Sequence, residues 1–453
     1  MTSFANRIYP WADWPARGAL LIGLVGLSSL LIACAPITTN NVPIGARADT
    51  HIAAPTAIES GVSNPLITAI LAAELALNRG LLAEASGHYA QAAMASDDPY
   101  VAQRAVQLAL SVGDQALTTR LLKRWLVLDP SQFEARQLLA LNQIRDGQPA
   151  QALVTLRAGM PSSQTQREAA LASIGALFED PSLPDSVMGL MQSLVESYPE
   201  SAAAPLSLAR VGFAREQFSL AQQAVATALA KQPDWTTAQL LQADILRAID
   251  QPEAALAAYQ RIIAAGDPAG IETYLSASEL AFSLDAPDVA NRLLSQALEQ
   301  YPQNGSLHYA RAMSWMLLDD VAGAEADFRW LLERQPENPR VLNALGYTLV
   351  DKTTRVDEGS QLIEQAYALE PDNAAIIDSM GWAEFRQGRV SSALAYLRRA
   401  HAKSPDNAEI AAHLGEVLWV LGKKAQAKTV WTKAQQAHPQ DAVLLDTLER
   451  LLP

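Results

Sequence analysis

From residue 64 onward, polar and apolar positions follow a helical period, and the helices come in pairs. The stretch NAEIAAHLGEVLWVLGKKAQAKTVWTKAQQAHPQ (407–440) shows the unit. Leu414-Gly415 and Leu418 fall on a first helix, Gly422 in a turn, Ala427, Trp431 and Ala434 on a second helix, and Pro439 closes the unit. The preceding unit repeats the pattern with Met380-Gly381, Phe385, Gly388, Ala393, Leu397, Ala400 and Pro405. The one before has Leu345-Gly346, Leu349, Ile363, Ala366 and Pro371. Large apolar residues at i, i+3, i+4 and i+7 form the stripe that fills the space between helices. The Gly of the first helix and the Ala residues of the second are small enough for two helices to cross there. Proline cannot continue a helix, so it ends the second one.

Pro199, Pro233, Pro268, Pro302, Pro336, Pro371, Pro405 and Pro439 are separated by 34, 35, 34, 34, 35, 34 and 34 residues. That spacing is the tetratricopeptide-repeat (TPR) period, two helices per repeat. Weaker copies continue upstream: Gly80, Ala85, Tyr89 and Ala92, then Gly113 with Asp129-Pro130, then Gly147 with Ala152-Leu153. Residues 166–199 are degenerate, with Pro181 and Pro184 near the turn. The chain therefore reads as an all-α TPR superhelical solenoid of about eleven repeats. Divergent repeats occupy 64–199, regular ones 200–439, and 440–453 reads as the capping helix that a solenoid end requires.

Composition agrees. The apolar residues are dominated by Ala and Leu, the best helix formers, and β-branched runs are scarce. The net charge is −14, and removing residues 1–33 leaves 32 basic and 47 acidic residues, a net of −15. A surface of that sign repels phosphate backbones and anionic headgroups, so nucleic acid is not the expected partner. The single cysteine, Cys34, excludes an intramolecular disulfide and a cysteine metal cluster.

The neighbours of Cys34 give it a role. Gly18 to Ala33 is an uncharged, mostly apolar run of sixteen residues behind Arg7 and Arg17. That is short of the roughly 20 residues that span a bilayer, but it suits a secretory signal. The run ends Leu31-Ile32-Ala33-Cys34, which resembles the bacterial lipobox, with an aliphatic residue at −3 and a small one at −1. Residues 1–33 then read as a lipoprotein signal peptide and Cys34 as the lipidation site. Two or three acyl chains, each buried methylene contributing roughly 0.8 kcal/mol, anchor a protein stably. Ala35 at the next position implies, by the sorting rule of that class, the periplasmic face of the outer membrane. Residues 34–63 mix Pro, Asn, Thr, Gly and Ala without periodicity and read as acylated cysteine plus flexible tether.

No catalytic constellation emerges, so the expectation is a non-enzyme without cofactor, metal or small-molecule substrate. The six histidines, His51, His88, His308, His401, His413 and His438, include no pair three or four residues apart, and are expected as surface or groove residues. Gly422-Lys423-Lys424 lacks the upstream glycine of a P-loop, since Val417 stands there. Asp319-Asp320 and Asp357-Glu358 fall at repeat turns, where caps are expected. Arg120, Lys123 and Arg124 form one basic cluster, and Arg389, Arg398, Arg399 and Lys403 another. Each is either a solvated helix face or a patch for an acidic partner.

Counting from the proline ladder places Tyr309, Met313, Asn343, Tyr347, Asp378, Trp382, Arg386, Glu416 and Trp419 on the first-helix line that faces the groove. Aromatic and polar residues together suit protein binding, although Trp382 and Trp419 could equally fill gaps between neighbouring helices. Lys352-Thr353-Thr354-Arg355 lengthens one turn by a residue, as a tolerated insertion or a contact loop.

The segments NALGYTLVDKTTR (343–355), IIDSMGW (376–382) and AHLGEVLW (412–419) resemble motifs of a family of proteobacterial TPR lipoproteins. Its best-known type is the lipoprotein partner of a periplasmic carboxy-terminal processing protease. The resemblance implies an outer-membrane adaptor that binds that protease and presents peptidoglycan hydrolases to it. An assembly factor for pilus or envelope machinery, acting without a protease, is the competing reading. For the anchor itself, Cys34→Ser is expected to abolish incorporation of radiolabelled fatty acid and to leave the precursor unprocessed; labelling that persists in the variant would remove the anchor.

Overall fold

A computed structural model describes residues 64–266 and 270–452. The apolar run, Cys34, the tether and Pro268 lie outside the described residues. The described residues carry 23 α-helices and form two compact units, 64–245 and 246–452.

In the first unit the helices are α1 (Pro65–Asn78), α2 (Leu82–Ala95), α3 (Pro99–Val112), α4 (Gln115–Leu128), α5 (Phe133–Arg145), α6 (Pro149–Ala158), α7 (Gln164–Phe178), α8 (Ser186–Ser197), α9 (Ala203–Ala214) and α10 (Phe218–Lys231). Helix α11 (Thr236–Ala248) contains the division between the units. The second unit continues with α12 (Pro252–Ala264), α13 (Ile271–Ser283), α14 (Pro287–Gln300), α15 (Gly305–Leu317), α16 (Val321–Arg334), α17 (Pro339–Lys352), α18 (Val356–Leu369), α19 (Ala374–Arg386), α20 (Val390–Lys403), α21 (Ala408–Val420), α22 (Lys424–Ala437) and α23 (Ala442–Leu451). Taken in order these are eleven A–B pairs followed by one last helix, which packs on α21 and α22.

Local chemistry punctuates the pairs. Asn304, Asn338, Asn373 and Asn407 each cap an A helix with the side-chain oxygen, and Asp441 caps α23 in the same way. Nine of the A–B turns contain a left-handed residue, which is Gly at 80, 113, 147, 388 and 422 but Glu216, Asp250, Asp285 and Asp319 elsewhere. Four residues before ladder prolines share one non-helical conformation; Gln335, Glu370, Ser404 and His438 have φ of −136°, −131°, −134° and −135° with ψ of 71°, 72°, 74° and 67°. Proline excludes the helical region for the residue before it, so each B helix ends at the same point.

The turn after α17 differs from the expectation. It holds only Thr353, Thr354 and Arg355, the same length as the turns after α19 and α21. The extra residue is absorbed by α17 itself, which has 14 residues where α19 and α21 have 13. Thr353 Oγ1 bonds Leu349 O at 2.6 Å and Arg355 N donates back to Thr353 Oγ1 at 2.9 Å, so the turn closes without a left-handed residue. The degenerate stretch keeps its two helices but joins them by seven residues, 179–185, held by Arg215 donating to Leu183 O and paired with Asp185 at 3.2 Å.

At three A–B crossings a glycine lets the B helix approach closely. A Cβ on Gly346 would stand 2.7 Å from Gly359 O, one on Gly381 2.6 Å from Leu397 Cγ, and one on Gly415 2.0 Å from Trp431 Nε1. Ala366, Ala393, Ala400 and Ala427 are fully buried on the facing B helices. Gly415→Leu is therefore expected to destabilise the second unit by at least the roughly 1–3 kcal/mol of an overpacked core. Gly87→Ala, inside α2 with open space around it, should instead stabilise by about 0.5–1 kcal/mol. Circular-dichroism melts check both; equal melting temperatures for Gly415→Leu and the wild type would contradict the crossing.

Candidate functional site

A helices of the second unit touch the next A helix as well as their own B helix: α17 meets α19, α19 meets α21, and α21 meets α23. The repeat period therefore stacks equivalent A-helix positions. Met313, Tyr347, Trp382, Glu416 and Arg450 are one such series, separated by 34, 35, 34 and 34 residues. Tyr309, Asn343 and Asp378 stand one turn earlier, and Asp351 and Arg386 one turn later.

His413 of α21 joins three of these helices. Its Nδ1 lies 2.8 Å from Asp378 Oδ2 of α19, and its Nε2 is 3.4 Å from the Tyr347 hydroxyl of α17. The Trp382 indole stacks on the imidazole, with ring centroids 4.2 Å apart and planes 19° apart. Trp382 Nε1 donates to Asp351 Oδ1 at 3.0 Å, and Arg386 donates to Asp351 O at 2.9 Å. One repeat further, Arg450 of α23 clasps Glu416 with two bonds of 2.7 and 2.8 Å. A bidentate pair of this kind is directional as well as charged.

Burial sets the electrostatics. Desolvation alone pulls the His413 imidazole towards neutrality, but the charge of Asp378 and the hydrogen bond to it prevail, and His413 is pushed up to about 9. Burial likewise raises the Glu409 carboxyl, with the charge of His413 opposing it. The Tyr347 hydroxyl rises well above its ordinary value, first from burial and then from Glu409, Asp351 and Asp378. Asp378 Oδ1 is buried with no hydrogen-bond partner, and so is Asn343 Oδ1 on α17.

The residues read from sequence divide into three groups. Tyr347, Asp378, Trp382 and Arg386 meet in one cluster, and Glu416 extends it to α23. Tyr309 and Met313 belong to a separate packing centre, where Tyr309 stands edge-on to Phe328 at 6.0 Å and Arg340 lies over its ring at 5.3 Å. Trp419 leaves the row: the period makes it the equivalent of Phe385, one residue round α21 from the row position at Val420, and it packs on α22 with Trp431 at 5.7 Å and the Lys424 ammonium at 4.7 Å. Trp382 is only 6% exposed and fills the gap between A helices.

The reading of the histidines as surface or groove residues is corrected for two of them. His413 is 3% exposed, and His308 is buried between Asp327 Oδ1 at 2.6 Å and the stacked ring of Trp330 at 3.7 Å. Both find a carboxylate on another helix, a pairing across 35 and 19 residues that helix-ligand spacing does not test. Sequence reading also passed over Asp351, Glu409 and Arg450; the 34-residue register from Glu416 reaches Arg450 and would have found it. Several members of the basic clusters serve the fold. Arg124 bonds Ser96 O at 2.8 Å, Arg399 bonds the Tyr367 hydroxyl at 2.8 Å, and Lys403 pairs with Asp372 at 2.9 Å.

The His413–Asp378 pair makes stability depend on pH. A histidine raised above its unfolded value stabilises the fold fully below that value, about 6.5, and the contribution is lost as pH rises through about 9. NMR of labelled imidazole is expected to show His413 titrating near 9, and Asp378→Asn should move it down, because burial then acts without the carboxylate. An unmoved midpoint in Asp378→Asn would show that the pair is not the cause.

Comparison with known proteins agrees with this architecture. Residues 206–270 and 275–339 match one tetratricopeptide-repeat family model, and residues 384–451 match another. A TPR repeat-containing protein of Pseudomonas aeruginosa is 38% identical over 164 residues, which is 36% of this chain and 28% of that protein. The chain thus covers little more than a quarter of that relative's length. Among solved structures, a tetratricopeptide repeat protein from Parabacteroides merdae has a TM-score of 0.48 at 16% identity, covering 58% of this chain and 99% of its own. Yeast Tom70 has a TM-score of 0.37 at 14% identity, covering 85% and 94%. The helix pairs and the matched segments together make this chain an all-α tetratricopeptide-repeat solenoid, a fold that typically serves as a non-catalytic scaffold for binding other proteins.

Proposed function

We propose that the protein is a periplasm-facing, lipid-anchored adaptor that docks a carboxy-terminal processing protease on its C-terminal repeats and promotes degradation of peptidoglycan hydrolases. The observation that carries the docking role is the A-helix row, where Tyr347, Asp351, Arg386 and Glu409 stay partly or fully exposed around a rigid polar centre. Aromatic and charged groups held by neighbours lose little entropy on binding, which favours them as contacts. The protease and its substrates are supported by the motif resemblance of residues 343–355, 376–382 and 412–419, two of which, IIDSMGW and AHLGEVLW, supply Asp378, Trp382 and His413 to the centre. Membrane attachment is supported by Leu31-Ile32-Ala33-Cys34.

A scaffold without a nucleophile of its own accelerates proteolysis indirectly. It raises the local concentration of substrate beside the enzyme or binds the enzyme's active state preferentially. Protein lacking residues 1–34 should therefore bind the protease and speed its cleavage of a cell-wall endopeptidase followed on gels. Arg386→Glu, at an exposed position, should weaken binding about tenfold, roughly 1.4 kcal/mol, while a melt shows the modest loss expected from its contacts with Asp351. Absence of both binding and stimulation would favour the assembly-factor reading. Stimulation that survives Arg386→Glu unchanged would keep the adaptor and move its docking site.

A further inference from the structure

We infer that Asp378 and Glu409 together form a receptor for one cationic side chain, a lysine or arginine carried by the docked polypeptide. The inference rests on the reading of the A-helix row as a docking surface, and it names what the centre of that row selects.

The hydrogen-bond inventory is one-sided. The donors seen to bond at the centre are already committed: His413 Nδ1 to Asp378, Trp382 Nε1 to Asp351, Arg386 to Asp351 O and Arg450 to Glu416, while the Tyr347 hydroxyl lies by His413 Nε2 and Glu409. What remains are acceptors. Asp378 is 5% exposed and its Oδ1 has no partner, and Asn343 Oδ1 on the preceding A helix is also unpartnered. Native proteins pair nearly all such atoms, so a buried carboxylate oxygen without a donor marks where one is missing.

Charge points the same way. Arg386 and Lys352 stand 3.6 and 3.9 Å from the Asp351 carboxylate, and Arg450 is paired with Glu416. His413 is the one cation that faces Asp378 and Glu409, with the Tyr347 hydroxyl bonded to Glu409, so one negative charge is in excess when both carboxyls are ionised. Glu409, in the first turn of α21 and partly exposed, is the outer carboxyl, and Asp378 is the inner one. An ammonium or guanidinium on a long stem suits an outer and an inner carboxyl, and the Tyr347 and Trp382 rings that pack on His413 stand next to them. No group of three or more His, Cys, Asp and Glu among the described residues is arranged to hold a metal ion, which favours an organic cation.

The groups facing Glu409 are Tyr347 from α17, Asp378 from α19, His413 on its own helix and Asp441 at the head of α23. Burial raises the Glu409 carboxyl, and a docked cation acts against that rise as the charge of His413 already does.

Blocked alanine–serine heptapeptides with one central lysine, arginine, norleucine or glutamate provide the probe. They are titrated into the full chain by calorimetry and by Trp fluorescence. The lysine and arginine peptides are expected to bind at least tenfold more tightly than the other two, and more weakly as pH falls from 8 to 5. Asp378→Asn should erase the preference. Glu409→Gln, which leaves the His413–Asp378 bond in place, should reduce it and abolish its pH dependence, so a folding defect in the first variant does not decide the matter. Equal affinity for lysine and norleucine, preference for glutamate, or no peptide binding overturns the cation receptor. Failure there with intact protease binding leaves the adaptor standing, whereas loss of protease binding overturns the adaptor itself.

Discussion

Close approach of the paired helices at three glycines is the constraint on which the C-terminal repeats of the second unit depend. At Gly346, Gly381 and Gly415 a single added carbon would collide with the facing B helix. The small residue lets the B helix seat Ile363, Leu397 or Trp431 directly against the A helix. Packing at crystal-like density tolerates little variation in that distance, so every pair takes nearly the same geometry. Similar pairs joined by turns of equal length then place equivalent A-helix residues in a row. The row of Met313, Tyr347, Trp382, Glu416 and Arg450 is a consequence of the crossing.

Within that row the repeats are not interchangeable. Around α15 the inner positions pack as an apolar and aromatic group with Phe328 and Leu345. Around α19 and α21 the same face carries a buried imidazole–carboxylate pair. Removing either partner would leave a buried charge alone, which is far more costly than an apolar substitution of both. Such a pair is a weak source of net stability, but it orients the groups it holds. Stacking on Trp382 and the bond from Trp382 to Asp351 add direction to that hold. The centre is thus rigid and short of donors, in a fold whose usual work is binding other proteins.

Two kinds of support meet at this centre and differ in reach. The repeat architecture carries a scaffold for protein binding and says nothing of which protein. The proposed protease partner rests on the motif resemblance, whose residues coincide with the polar cluster. That coincidence has a physical sense. A family motif that were only a folding signature would consist of the crossing glycines and the apolar stripe. IIDSMGW and AHLGEVLW also carry Asp378, Trp382 and His413, which the crossing does not require.

The repeat was legible because it is local. Helical periodicity, a left-handed turn residue and a proline after each B helix act within a few residues of one another, so the linear chain displays them. The Asn caps and the Gly slots follow from the same short-range geometry. The stacked row was partly legible, because a constant period aligns equivalent positions, and Tyr347, Asp378, Trp382 and Arg386 of that line are neighbours in the structure. The partners of His413 and His308 were not legible. Asp378 lies 35 residues from His413 and Asp327 lies 19 from His308, and no helical spacing rule joins residues on different helices. Nor could the sequence show that Trp419 turns to α22, since one step of about 100° round a helix separates the row from the repeat's own core. By itself the sequence determined where helices start, stop and cross, because backbone sterics act locally. Only the tertiary structure decided which side chains share a charge, because that depends on distances between helices that no neighbouring residue encodes.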